Sequence, residues 1–175
     1  MLKEESFHLF TGKSGLARAI KAGKIPAEII QKYLNKWISI AYDLFGKDHS
    51  TSALRFYRWG LKGRFDEETA SAPAKHLERL NEEARSLYFH EIREIIDGLN
   101  QLMPAGSSKL HAPDIKFNRR IGDYADKTFG VDGNWLDPEE YRRHLEGVLP
   151  SADDQQILQG IFREGNWLTT VKKDA

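Results

Sequence analysis

Glu5 and His8 are the residues of this 175-residue chain whose types and spacing speak most directly of chemistry. Three positions apart on a helix, they share one face, so a carboxylate and an imidazole can point at one metal ion. They lie in Lys3-Glu4-Glu5-Ser6-Phe7-His8, and Glu-x-x-His is the half-motif of carboxylate-bridged di-iron centres in four-helix bundles. A complete centre needs a second such motif and two further carboxylates from other helices. Almost no helix precedes Glu5, so the chain reads as the end of something larger. Phe7, Leu9 and Phe10 make the surroundings apolar, where both polar groups need a partner. A metal is one such partner and a buried salt bridge is the other.

Other candidates are weaker. Arg55-Phe56-Tyr57-Arg58-Trp59-Gly60-Leu61-Lys62-Gly63-Arg64 gathers four cations, three aromatic residues and two glycines. Arg55, Arg58, Lys62 and Arg64 suit the phosphates of a nucleotide-like ligand such as coenzyme A. The same segment also suits a packed helix whose arginine stems cover aromatic surface. His90-Glu91-Ile92-Arg93-Glu94 resembles the start of a zinc-protease helix, but Glu94 stands where the second histidine is needed, so a surface pair is expected. Glu140 and His144, flanked by Arg142, Arg143 and Glu146, read as a solvated helix face. His49 sits where it can cap a helix start.

Bulk properties narrow the choices. Lys+Arg and Asp+Glu balance at 26 each, so no global field draws nucleic acid or an anionic membrane. Cysteine is absent, which excludes disulfides, iron–sulfur clusters and thiolate chemistry. Any metal must be held by carboxylate and imidazole, for which six histidines are available. No apolar run approaches the roughly 20 residues of a membrane span, and no signal peptide opens the chain. A soluble, cytoplasmic protein is the expectation.

The elements that must position these residues are helical. Leu2 to about Phe10 reads as the tail of a helix stopping near Gly12, followed by a short helix over 15–22 capped by Ser14. After Pro26, the residues Ile29, Ile30, Tyr33, Leu34, Trp37, Ile38, Ala41, Leu44 and Phe45 recur at helical spacing, and Gly46 closes the run. Ser50 or Thr51 caps a helix to about Trp59, and Ala70–Ala74 is a connector. A long helix over His76–Met103 stops at Pro104, and 104–116 is a long loop. A short helix is expected over Asn118–Ala125, then a turn at Asp132-Gly133. Asp137-Pro138-Glu139-Glu140 and Ser151-Ala152-Asp153-Asp154 start two further helices. No strand or repeat is visible, and the class is all-α.

The ordered series Met1–Gly12, Ile25-Pro26, Ile29–Trp37, Tyr42–Gly46, Trp59–Phe65, Leu99–Leu102 and Phe117–Gly122 resembles the oxygenase components of benzoyl-CoA epoxidases, in the ferritin-like di-iron family. The phenylacetyl-CoA epoxidases are more distant relatives. The resemblance implies a di-iron centre that activates O2 and places one oxygen atom on the ring of an aromatic acyl-CoA. It also implies a separate NADPH-dependent reductase. Under it, Glu5 and His8 are iron ligands from the family's second Glu-x-x-His. Family chains are several hundred residues long, and this chain matches their C-terminal portion. The remaining ligands would then come from helices upstream of Met1, the missing N-terminal portion being a partner. The chain reads as one helical domain over 1–175, with 1–46 a remnant of the iron-binding bundle and 47–175 a C-terminal helical extension. Two expectations follow: the chain alone is inactive, and apolar residues around Phe7, Phe10 and the Trp37 stripe are partly uncovered.

Overall fold

The computed structural model describes residues 2–47, 50–59, 61 and 80–165. Among the described residues six helices follow one another: α1 (Leu2–Ala22), α2 (Ala27–Leu44), α3 (Thr51–Arg58), α4 (Leu80–Asn100), α5 (Pro138–Val148) and α6 (Ala152–Arg163). Among the described residues there is no strand, only an isolated antiparallel bridge between Phe129 and Trp135. The all-α class holds. Ala70–Ala74, His49 and the first four residues of the expected long helix lie outside the described residues.

The chain divides into two compact units. The first takes its described residues from Met1–Lys36, Ile92–Ala112 and Arg142–Ala175. Its core holds Ile20, Ile29, Ile30, Ile96, Leu99 and Leu110. Helices α2 and α4 supply the stripe, and two side-chain amides hold the long loop against it. Asn100 accepts from the Leu110 amide at 2.8 Å and donates to its carbonyl at 2.9 Å. Gln31 does the same for His111, at 2.7 and 2.9 Å. Each amide stands in for a neighbouring peptide, so the loop needs no ladder to satisfy its backbone.

The second unit takes Trp37–Glu91 and Pro113–Tyr141. Tyr42 and Phe117 are fully buried at its centre, beside Ile38 and Pro113. Unusually, Asn81, Arg85 and Arg119 are buried with them. Arg119 donates through Nε to Asp43 Oδ1 at 2.7 Å and through its other nitrogens to the carbonyls of Ile115 and Ile121. Arg85 donates to the carbonyls of Tyr42 and Gly46, caps the end of α2, and pairs with Glu82. These bonds satisfy the buried guanidinium groups, as burial of a charge demands.

Two expectations are corrected. The first helix does not stop near Gly12, and there is no separate helix over 15–22: α1 is continuous through Gly12 and Gly15. A glycine inside a helix costs only about 1 kcal/mol relative to alanine, which flanking helix formers outweigh. Nor is Asn118–Ala125 helical. Asn118, Gly122 and Asp126 have φ of 49°, 94° and 62°, which no α-helix admits. The segment instead wraps around Asp43, whose carboxylate accepts the backbone N–H groups of Arg120 and Ile121 at 3.0 and 3.3 Å.

The expected helix starts are present. Asp137 accepts from the amides of Glu139 and Glu140, while Glu140 accepts from that of Asp137. Ser151 and Asp154 form a second reciprocal capping box.

Candidate functional site

Helix α1 carries the metal-type donors, and its geometry separates them from the body of the first unit. Glu5, His8, Gly12, Gly15 and Ala19 succeed one another at steps of three and four and form one face. Ser6, Leu9, Phe10, Lys13, Ser14 and Ala17 form another, and these line a groove with Glu94, Ile95, Gly98 and Leu99 of α4 and Leu102 just beyond its end. Glu5 and His8 are both exposed, as is every residue from Lys3 to Lys13. Phe7 is 68% exposed, Phe10 67% and Trp37 58%, so these apolar side chains are indeed uncovered.

Two donors do not make a metal centre. Among the described residues no three His, Asp or Glu side chains come together as a set able to hold an ion. The donors present therefore do not fit a di-iron group by themselves.

The cationic segment is only partly visible. Arg55 and Arg58 are exposed on α3, and Phe56 and Trp59 pack edge to face beside them at 6.0 Å. Phe56 and Trp59 are themselves exposed. Lys62 and Arg64 lie outside the described residues. His90 and Glu94 are exposed, and no hydrogen bond joins them as the expected surface pair. Glu140 serves its helix cap.

Sequence reasoning missed the buried polar groups. Asn81 and Arg85 continue the stripe of Tyr88, Ile92, Ile96 and Leu99 toward the start of α4, and that continuity was the available signal. It also missed the lowered carboxyl of Asp154. Hydrogen bonds from Ser151 and the Lys32 ammonium, 2.9 Å away, bring that group down to about 2. Tyr42 is shifted upward by burial, then by Tyr88 and Asp114, and stays a neutral donor to the Pro113 carbonyl at 2.8 Å. These groups hold structure.

No protein-family model matches the chain. A curated protein does: benzoyl-CoA oxygenase component B of Aromatoleum evansii is 30% identical over 93% of this chain. This chain is similar to benzoyl-CoA oxygenase component B over most of its own length. It spans 43% of that protein's length, as a C-terminal portion would. The alignment runs over 208 positions, more than this chain has residues, so component B carries insertions that this chain lacks. Among the described residues no helix is long and apolar enough to cross a membrane.

Proposed function

We propose that this chain supplies the C-terminal helical portion of a di-iron oxygenase component that epoxidises an aromatic acyl-CoA, benzoyl-CoA first among them. The observation that carries the reading is the match to benzoyl-CoA oxygenase component B across 93% of the chain. In this reading 1–46 belongs to a ferritin-like metal-binding bundle and 47–175 extends it. Glu5 and His8 are one carboxylate and one imidazole of an iron site whose other donors belong to the rest of the family's length. Iron held there would supply O2 activation for epoxidation of the ring, and a separate reductase would deliver its electrons from NADPH. Exposed Arg55 and Arg58, with Lys62 and Arg64, take the coenzyme A phosphates. The setting is cytoplasmic.

The test is iron content and benzoyl-CoA-dependent oxygen uptake in the complete component with its reductase. Glu5→Ala and His8→Ala should each remove iron and lower turnover roughly 100-fold or more. Unchanged iron and turnover in both variants defeats the ligand assignment. An unchanged KM for the acyl-CoA in Arg55→Ala/Arg58→Ala defeats the phosphate assignment. Faster turnover of phenylacetyl-CoA than of benzoyl-CoA would move the substrate to the neighbouring class.

A second reading is a metal-free helical interaction module. The observation behind it is that, among the described residues, no three His, Asp or Glu side chains form a set able to hold an ion. If the purified chain takes up no iron from anaerobic Fe(II), only this scaffold role is left for the chain by itself.

A further inference from the structure

We propose that the exposed patch of Arg55, Arg58, Phe56 and Trp59 at the end of α3 binds the adenosine end of a coenzyme A thioester, the Trp59 ring being the platform on which the adenine stacks. This rests on the reading of the chain as part of an acyl-CoA oxygenase component, and it adds a residue that recognises the base. The four side chains are neighbours at helical steps of three and four: Arg58 beside Arg55, Arg55 beside Trp59, and Trp59 beside Phe56. The helix end that carries them is closed. The Trp59 amide donates to the Arg55 carbonyl at 3.0 Å, and the Leu61 amide donates to the Phe56 carbonyl at 2.9 Å. Two cations therefore lie along one edge of the patch and two rings along the other, all within the second unit.

Phe56 is 46% exposed and Trp59 65%, although rings of that size ordinarily stabilise a fold by being buried. Their planes meet at 84°. Such an edge-to-face contact uses only the edge of one ring, so a face stays open to a further flat group. A purine is such a group, and stacking on an aromatic side chain asks for no hydrogen-bond readout. The charges narrow the ligand further. Among the described residues neither Arg55 nor Arg58 has an acidic partner, so both forks are open to anionic oxygens. Guanidinium groups match phosphate oxygens two at a time. An uncharged aromatic ligand would use the rings and leave both arginines idle. The adenosine of coenzyme A uses all four side chains. It carries one phosphate on its ribose and a diphosphate leading to the pantetheine arm, so a base and two anionic groups arrive together.

The test is binding of coenzyme A, adenosine 3′,5′-bisphosphate and phosphopantetheine to the full chain, read by calorimetry and by quenching of tryptophan fluorescence. Coenzyme A and the bisphosphate should bind alike, and phosphopantetheine, which lacks the base, about tenfold more weakly or less. Trp59→Ala should weaken coenzyme A about tenfold, the effect of one stacked base, with an unchanged circular dichroism spectrum. Trp59→Phe keeps a ring, so it should retain most of the affinity while removing the quenching. Arg55→Ala/Arg58→Ala should weaken both nucleotides and reduce the salt dependence of their binding. Full affinity for coenzyme A in Trp59→Ala overturns the proposal. So does equal affinity for phosphopantetheine, or no binding of coenzyme A by the chain. The platform and the phosphate assignment fail separately. If only the double arginine variant loses affinity, the phosphates are held and the adenine is not stacked on Trp59. If only Trp59→Ala loses it, the platform stands and the arginine assignment falls.

Discussion

Helix α1 is regular for 21 residues, yet from Lys3 to Lys13 its side chains are exposed on every side. The segment from Pro113 to Asp137 contains no helix, yet it carries the fully buried Phe117 and Arg119 and is tied to Asp43 by three hydrogen bonds. Regularity and anchoring are therefore separate properties. A helix satisfies its own backbone and can stand without tertiary partners for that purpose. An irregular segment has no such internal solution, so side chains such as Asp43 must supply the missing partners. The regular element is left available for docking, and the irregular one is committed to the core.

The largest expected break of this contrast is Arg119→Ala. Removing one partner of a buried pair leaves Asp43 uncompensated, a loss of about 3–5 kcal/mol in urea unfolding. A loss below about 1 kcal/mol would mean that the loop is held by something other than this network. Next comes Gly133→Ala. Gly133 has φ +82°, and a Cβ there would lie 2.5 Å from the Asp114 carboxyl carbon. Overpacking of that kind typically costs about 1–3 kcal/mol, to be read from the midpoint of chemical denaturation.

A smaller effect is expected at the start of α6. Ser151→Ala should cost about 1 kcal/mol by removing the cap. The depressed carboxyl of Asp154 gives the same region a signature in acid. Its contribution is complete above the ordinary value of 3.8 and is lost as pH falls toward about 2. Asp154→Asn should flatten the stability profile across that window. Smallest, and opposite in sign, is Gly12→Ala. The site is open space on an exposed helix, so the substitution should stabilise α1 by up to about 1 kcal/mol. Destabilisation there would show that the glycine face already has a neighbour in solution.

What could be read from the sequence divides along the same line. The starts at Asp137 and Ser151 and the stop at Gly46 were legible because caps are local. The stripe from Ile29 to Tyr42 was legible because burial repeats with the helix, although Trp37, Ile40 and Leu44 within or beside it face solvent. Arg85 and Arg119 were not, since a cation reads as surface until its acceptors are known, and those acceptors are distant carbonyls. Asn118–Ala125 looked helical because only Gly122 advertised a positive φ, while Asn118 and Asp126 concealed theirs. At the candidate site, the shared face of Glu5 and His8 followed from spacing alone. The groove did not, because Lys13 and Glu94 are brought together only by the packing of α1 on α4.

Gly12 and Gly15 give α1 a mechanical property as well as an open face. They stand between the turn that bears Glu5 and His8 and the end that Ile20 anchors in the core. Sharp bends in helices concentrate at glycine and serine pairs, and Ser14-Gly15 is one. The helix thus has compliance near its middle. A bend at that point would re-aim the outer half of α1 while Ile20 stays seated in the core.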